Sequence, residues 1–150
     1  VSIKIIAENR KARHDYHILE VIEAGLVLLG SEVKSLRVSG CSIKESYVSV
    51  VGHELFLQKA HIPPYLSSSY NNHEPERLRK LLLKQNQIQK VMTALSEKGL
   101  SCVPLKVYFS KGFVKVEIAI VRGKKHHDKR EAIKARDTQK QLQRTVRKSK

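Results

Sequence analysis

Residues 113–121 read FVKVEIAIV. Val114, Val116, Ile118 and Ile120 fall on one side of a period-two pattern, with Lys115 and Glu117 on the other. A strand has that period and a helix does not. A strand with so regular an apolar side has to lie over a core. Residues 103–109 (VPLKVYF) alternate as well, and Ser110, Lys111 and Gly112 supply a turn between the two runs. A second hairpin is predicted upstream: 46–51 (SYVSVV), a turn at Gly52-His53, then 54–62 (ELFLQKAHI) up to Pro63-Pro64.

Residues 23–37 (EAGLVLLGSEVKSLR) are the densest stretch of the chain. Residues 16–21 (YHILEV) form a strand, and 23–25 are expected to bend the chain. Gly25 and Gly30 bracket Leu26, Val27, Leu28 and Leu29, an apolar run suited to a buried strand. Ser31 is the expected N-cap of a helix over 31–38 that ends at Gly40. Glu32 sits in the first turn, where the helix dipole favours an acid. Lys34 and Arg37 follow, with Val33 and Leu36 on the apolar side. By themselves these residues make an ordinary strand–turn–helix with a solvated face.

Residues 1–7 read as a loose lead-in or an edge strand, and 9–13 (NRKAR) as a basic segment with Asn9 as a cap or turn former. Residues 65–76 (YLSSSYNNHEPE) are loop-like. Residues 77–98 are predicted helical, because Leu78, Leu81, Leu82, Ile88, Val91, Met92 and Leu95 keep near a 3.6-residue period. The polar run 85–87 leaves room to divide that helix in two. Gly99 is a natural stop.

The short strands, the two hairpins and the helix between them fit a mainly β fold with helices: an OB-type closed β-barrel, flanking helices, and a flexible basic C-terminal tail. Residues 1–121 are the barrel domain. Residues 122–150 carry twelve Lys and Arg against three acids, so most of the chain's formal net charge of +15 lies there. The tail has few apolar anchors but good helix formers, so it is expected to be disordered when free and helical on RNA.

A charge of +15 calls for a polyanionic partner. No apolar run is long enough to span a membrane, and the tail lacks the bulky apolar face of a membrane-surface helix. Aromatics make up 5% of the residues, which argues for reading a folded RNA by shape and backbone rather than by stacking many bases. His14-Asp15 and His126-His127-Asp128 could look like acid–base pairs, but neighbours in sequence rarely face each other, and no nucleophile motif or P-loop accompanies them. An enzyme is therefore not expected, nor a metal or other cofactor. Cys41 and Cys102 lack disulfide or metal spacing and suit a reducing cytoplasm. The start has no secretory signal, and Val1 leaves the native N-terminus open.

Four stretches in order carry a resemblance to a known family: NRKARHDY at 9–16, EAGLVLLGSEVKSLR at 23–37, RKLLLK at 79–84 and RGKKHHDKR at 122–130. The chain resembles the bacterial SsrA-binding protein (small protein B) family over about residues 8–137. The resemblance implies an OB-type barrel that binds transfer-messenger RNA (tmRNA) through its tRNA-like domain and delivers it to stalled ribosomes for trans-translation. Protein and RNA together would mimic a tRNA. Positions facing the tRNA-like domain would be Asn9, Glu23, Glu32, Lys34, Leu82 and Lys115, with Phe113 placed to pack on RNA. A ribosome-contacting segment would comprise Gly123, Lys124, Lys125, His127, Asp128, Lys129 and Arg130. It would reach the small-subunit decoding centre and lead the tail into the mRNA channel. His127 would stack on a base there, and the basic residues would meet phosphates. The protein would act in the cytoplasm as a monomer, with no membrane partner. A ribosomal or ribosome-assembly OB protein that binds rRNA is the alternative.

An acid on an RNA surface needs a reason. A carboxylate accepts from base amino groups or ribose hydroxyls, or it holds a neighbouring Lys or Arg. Either role suits Glu23 or Glu32 better than contact with a phosphate, which would repel.

Overall fold

The computed structural model describes residues 3–65 and 72–123. The expectations for Lys124, Lys125, His127, Asp128, Lys129, Arg130 and the rest of the tail fall outside the described residues. The elements run β1 (Ile3–Glu8), α1 (Arg10–Asp15), β2 (Tyr16–Leu26), α2 (Gly30–Ser39), β3 (Tyr47–Val51), β4 (Glu54–Gln58), β5 (Arg79–Leu82), α3 (Gln85–Ser96), β6 (Leu100–Ser110) and β7 (Phe113–Gly123). The fold is mainly β with three helices among the described residues.

Both hairpins form about their predicted turns, but β4 ends at Gln58 rather than running to Ile62, and Lys59 beyond it has a φ of 60°. In the second, Ser110 pairs with Phe113, leaving Lys111 and Gly112 as a two-residue turn with φ of 51° and 81°. Two positive φ values match the right-handed twist of the flanking strands. Residues 1–7 resolve as an edge strand, with β1 antiparallel to β6.

All seven strands join one antiparallel sheet in the order β1-β6-β7-β2-β5-β4-β3. Each of the pairs β1–β6, β2–β7 and β6–β7 carries a register shift, near Ile6, Leu19 and Leu105 respectively. Such bulges bend a strand and raise its twist. The last one adjoins Pro104, which has no N–H to give the ladder and is tolerated in this inner strand for that reason. The sheet therefore curls until β3 lies against β6. No ladder joins β3 to β6 or to β1, so hydrogen bonds do not close the barrel expected from sequence. The end strand β3 packs against β6 instead.

The inner face encloses one core. Val114, Val116, Ile118 and Ile120 face it, as their alternation requires, together with Leu55, Leu57, Leu81, Val107, Leu36 of α2 and Val91 of α3. Each buried aliphatic side chain of this kind contributes about 1.5–3 kcal/mol. One end of the outer face carries a smaller cluster, where Ala12 of α1 covers Val103, Leu105, Ala119 and Val121.

Three expectations are corrected. Residues 23–25 do not bend the chain: Glu23, Ala24 and Gly25 pair in register with Glu117, Val116 and Lys115, so β2 runs straight through. The ladder ends at Leu26, and Val27 and Leu29 are exposed rather than part of a buried strand. Second, residues 79–82 form a strand and not the first turns of a helix, and only Gln85–Ser96 are helical. The strand was hidden because its two inward residues are Leu81 and a charged Arg79. Third, the N-cap of α2 is Leu29, one turn position before the helix begins at Gly30. Glu32 reaches back instead and accepts from the Leu29 N–H at 2.7 Å. Ser31 donates its hydroxyl to His73.

Candidate nucleic-acid interface

Strand register decides which of the sequence-predicted residues meet. Directly opposed residues in an antiparallel pair share a face. Gly25 of β2 lies opposite both Lys115 of β7 and Leu82 of β5. Glu23 is two residues along β2, so it shares the outer face with them. Glu23, Gly25, Leu82 and Lys115 line one open recess with Leu83, Lys84 and Gln87 from the β5–α3 junction. Its floor exists because Gly25 has no side chain: a Cβ there would sit 3.3 Å from the Leu82 Cβ. Leu82 is 53% exposed, which is unusual for a leucine in a sheet and leaves an apolar wall facing solvent.

Phe113 lies two residues from Lys115 on the same outward face, at the hairpin end of β7, and is 68% exposed. Exposed Ile3 and Ile5 of β1 continue this face, because Ile3 pairs with Ser110 and Ile5 with Tyr108. The uncovered half of the outer face thus mixes apolar groups with the cation of Lys115 and the carboxylate of Glu23.

Tyr108 was missed in the sequence. The residue is only 3% exposed, although it lies on the outer side of β6. It reaches across β7 and donates its hydroxyl to Glu23 Oε2. Lys106 covers the ring, with Nζ 5.9 Å from the centroid. Burial, then the hydrogen bond to Glu23 and the charges of Glu23 and Glu117, push the Tyr108 hydroxyl well above its ordinary range, so it remains a donor. Glu117 itself lies 3.6 Å from Arg13 and 3.9 Å from Lys106. Alternation would have found Tyr108: in VPLKVYF it falls with Lys106, and the hairpin register sets it opposite Lys115. Lys84 and Gln87 carried no such signal, because a helix was expected where the chain turns from strand to helix.

The structure does not bring Asn9, Glu32 or Lys34 to this recess. Asn9 is buried, and both ends of its amide are engaged: Oδ1 accepts from the Ala12 N–H, and Nδ2 donates to Pro104 O at 3.2 Å and to Ile43 O at 3.4 Å. It caps α1 and ties it to the barrel. Glu32 has no exposed surface and holds two arginines. Arg77 grips it with two hydrogen bonds, at 2.7 and 3.1 Å, and the Arg79 guanidinium lies 2.6 Å away. Burial alone would raise the Glu32 pKa, but hydrogen bonds from Arg77, the Leu29 N–H and Arg79, with the Arg79 charge, hold it below the usual range. Arg79 also donates to Ala60 O, Pro75 O and, at 3.4 Å, Glu74 O. His73 completes this buried polar knot: Ile62 O can only accept, so Nε2 donates to it, and in the neutral ring Nδ1 accepts from Ser31. Lys34 is exposed on α2 with its ammonium 5.9 Å from the Tyr65 ring centroid. Gly123 closes β7 opposite Tyr16.

Among the described residues no cluster of His, Cys, Asp and Glu has metal-binding geometry, and no helix is long and apolar enough to cross a membrane. Cys41 and Cys102 are free thiols.

The comparisons with known proteins agree with one another. The family model for the SmpB protein matches residues 6–148. The SsrA-binding protein of Bdellovibrio bacteriovorus is 57% identical over 148 residues, which cover 99% of this chain and 97% of that protein. The SsrA-binding protein of Syntrophobacter fumaroxidans is 55% identical over 94% of this chain and 88% of its own. Among solved structures, a chain from work on tmRNA-SmpB and the centre of the bacterial ribosome is similar with a TM-score of 0.68. It is 45% identical, and the match covers 80% of this chain and 85% of that one.

Proposed function

This chain belongs to the SmpB family, and from that premise we propose that it is a tmRNA-binding adaptor that delivers tmRNA to stalled ribosomes for trans-translation. The observation that carries the RNA-facing half of this reading is the convergence of Glu23, Leu82 and Lys115 on one uncovered recess. Lys115 meets a phosphate there, Leu82 packs on a ribose or base, and Glu23 accepts from a base amino group or a 2′-hydroxyl. Phe113 extends the surface. Glu32 serves indirectly, by fixing the segment that leads from β2 into α2. Asn9 serves by fixing α1, and Lys34 lies on a separate exposed surface.

The tail, residues 122–150, is the ribosome-facing part in this reading. Gly123, Lys124, Lys125, His127, Asp128, Lys129 and Arg130 enter the decoding centre, and the remainder becomes helical in the mRNA channel. The curled sheet is an OB-type barrel whose last join is made by packing. The protein performs no catalysis and works in the cytoplasm. The rRNA-binding ribosomal or assembly protein is not favoured, because the family relation runs over nearly the whole chain.

The test is to purify the chain under native conditions and sequence the RNA that comes with it. One dominant species with a tRNA-like domain is expected. A broad set of rRNA fragments instead would overturn the adaptor reading.

A further inference from the structure

We infer that Tyr108 is a positioning residue for RNA recognition: by donating its hydroxyl to Glu23 Oε2 it holds the Glu23 carboxylate with Oε1 turned to the RNA. The inference rests on the proposed RNA-binding role of the recess. An unrestrained glutamate on a strand samples several rotamers, and each rotamer presents a different oxygen to solvent. Tyr108 removes that freedom. Its ring is buried and covered by Lys106, so it is itself fixed, and it reaches Glu23 from two strands away across β7. Glu23 Oε1 carries no hydrogen bond among the described residues, so one oxygen of the carboxylate is used and one is free.

The consequence is a division of labour within the recess. Lys115 attracts phosphate without regard to sequence or fold. A carboxylate repels phosphate and accepts only from N–H or O–H donors on bases and riboses. Held in one orientation, it accepts only from a donor in one place, and a folded RNA either offers that donor or does not. Tyr108 therefore acts on selectivity and not on general affinity for polyanions.

The experiment uses the full chain and an in-vitro transcript of the tRNA-like domain of tmRNA, with a duplex of equal charge as the control RNA. Kd is measured for the wild type, Tyr108→Phe, Glu23→Ala and the double variant, over a series of salt concentrations. Measurements are made well below the lowest Tm in the set, as fixed by circular dichroism, so loss of fold cannot imitate loss of positioning. Tyr108→Phe keeps the ring and is expected to weaken binding to the tRNA-like RNA about tenfold, or about 1.4 kcal/mol, with little change on the control duplex. In the Glu23→Ala background the same substitution is expected to change nothing. The salt slope stays the same in all four, because no phosphate contact is lost.

Two results would overturn the inference: Tyr108→Phe binding the tRNA-like RNA as the wild type does, or weakening it by the same factor with and without Glu23. A wild-type chain that binds both RNAs equally would overturn the adaptor reading itself, and the inference with it. A selective wild type with additive variants removes the positioning role alone.

Discussion

Glu32 and Arg79 form an ion pair 2.6 Å apart in which neither side chain has any exposed surface. One comes from the first turn of α2 and the other from β5, 47 residues later. The pair locks the β2–α2 connection onto the strand that lines the recess with Leu82. Removing one partner leaves the other charge buried without compensation. Glu32→Ala is expected to cost about 3–5 kcal/mol of unfolding free energy, read from urea denaturation at neutral pH. A loss near zero would mean that Arg79 finds another partner or water.

The same carboxylate makes stability depend on pH. Its folded pKa lies below the usual glutamate range, so the contribution is full above the unfolded pKa, about 4.3, and fades as pH falls through the lower folded value. The gap in stability between wild type and Glu32→Gln should be constant from neutral pH down to about 5 and then narrow. A gap that widens on acidification would contradict this assignment.

Gly25 has its consequence in the recess. Gly25→Val places two methyl groups toward Leu82, whose Cβ would lie only 3.3 Å from the new Cβ. Binding of tRNA-like RNA should weaken, because the new side chain fills the floor of the recess. Tm should change little, because Leu82 faces solvent and can move. Electrophoretic mobility shifts and thermal melts separate the two effects.

The thiols should be inert. Burial pushes Cys102 up to about 12, and pushes Cys41 up to about 11 against the opposing charge of Arg79. At pH 7.5 neither has an appreciable thiolate fraction. A chromogenic disulfide reagent should label the native chain slowly and both thiols promptly in denaturant. Fast native labelling would place at least one of them in the open.

The recess and the tail should be separable. A chain ending at Gly123 retains every residue of the recess and is expected to bind tRNA-like RNA within a few-fold of full length at high salt. At low salt it loses the tail's general attraction, so its salt slope is shallower. Peptide tagging on stalled ribosomes should be lost. Retained tagging would remove the tail from the proposed mechanism.

Local chemistry carried much of this protein in plain view. Period-two runs with glycine turns gave the hairpins, because alternation and positive φ are properties of a few adjacent residues. Gly40 marked the end of α2 for the same reason, whereas α3 stops at Ser96, short of Gly99, and the +15 charge announced a polyanionic partner whatever the fold. The tertiary structure decided what depends on distant pairing. Residues 79–82 became a strand because β2 and β4 flank them and Glu32 neutralises the inward Arg79; the isolated RKLL pattern contains neither fact. Glu23, Leu82 and Lys115 came to line one recess only through register, which sets residues of three strands on one face. Glu32 and Asn9 do not line that recess, and their polar atoms are engaged inside. Tyr108 joined it because a side chain two strands away can reach Glu23 once the sheet has formed. A sequence fixes which groups are available, but a hydrogen bond between residues 85 positions apart exists only after folding has chosen their neighbours.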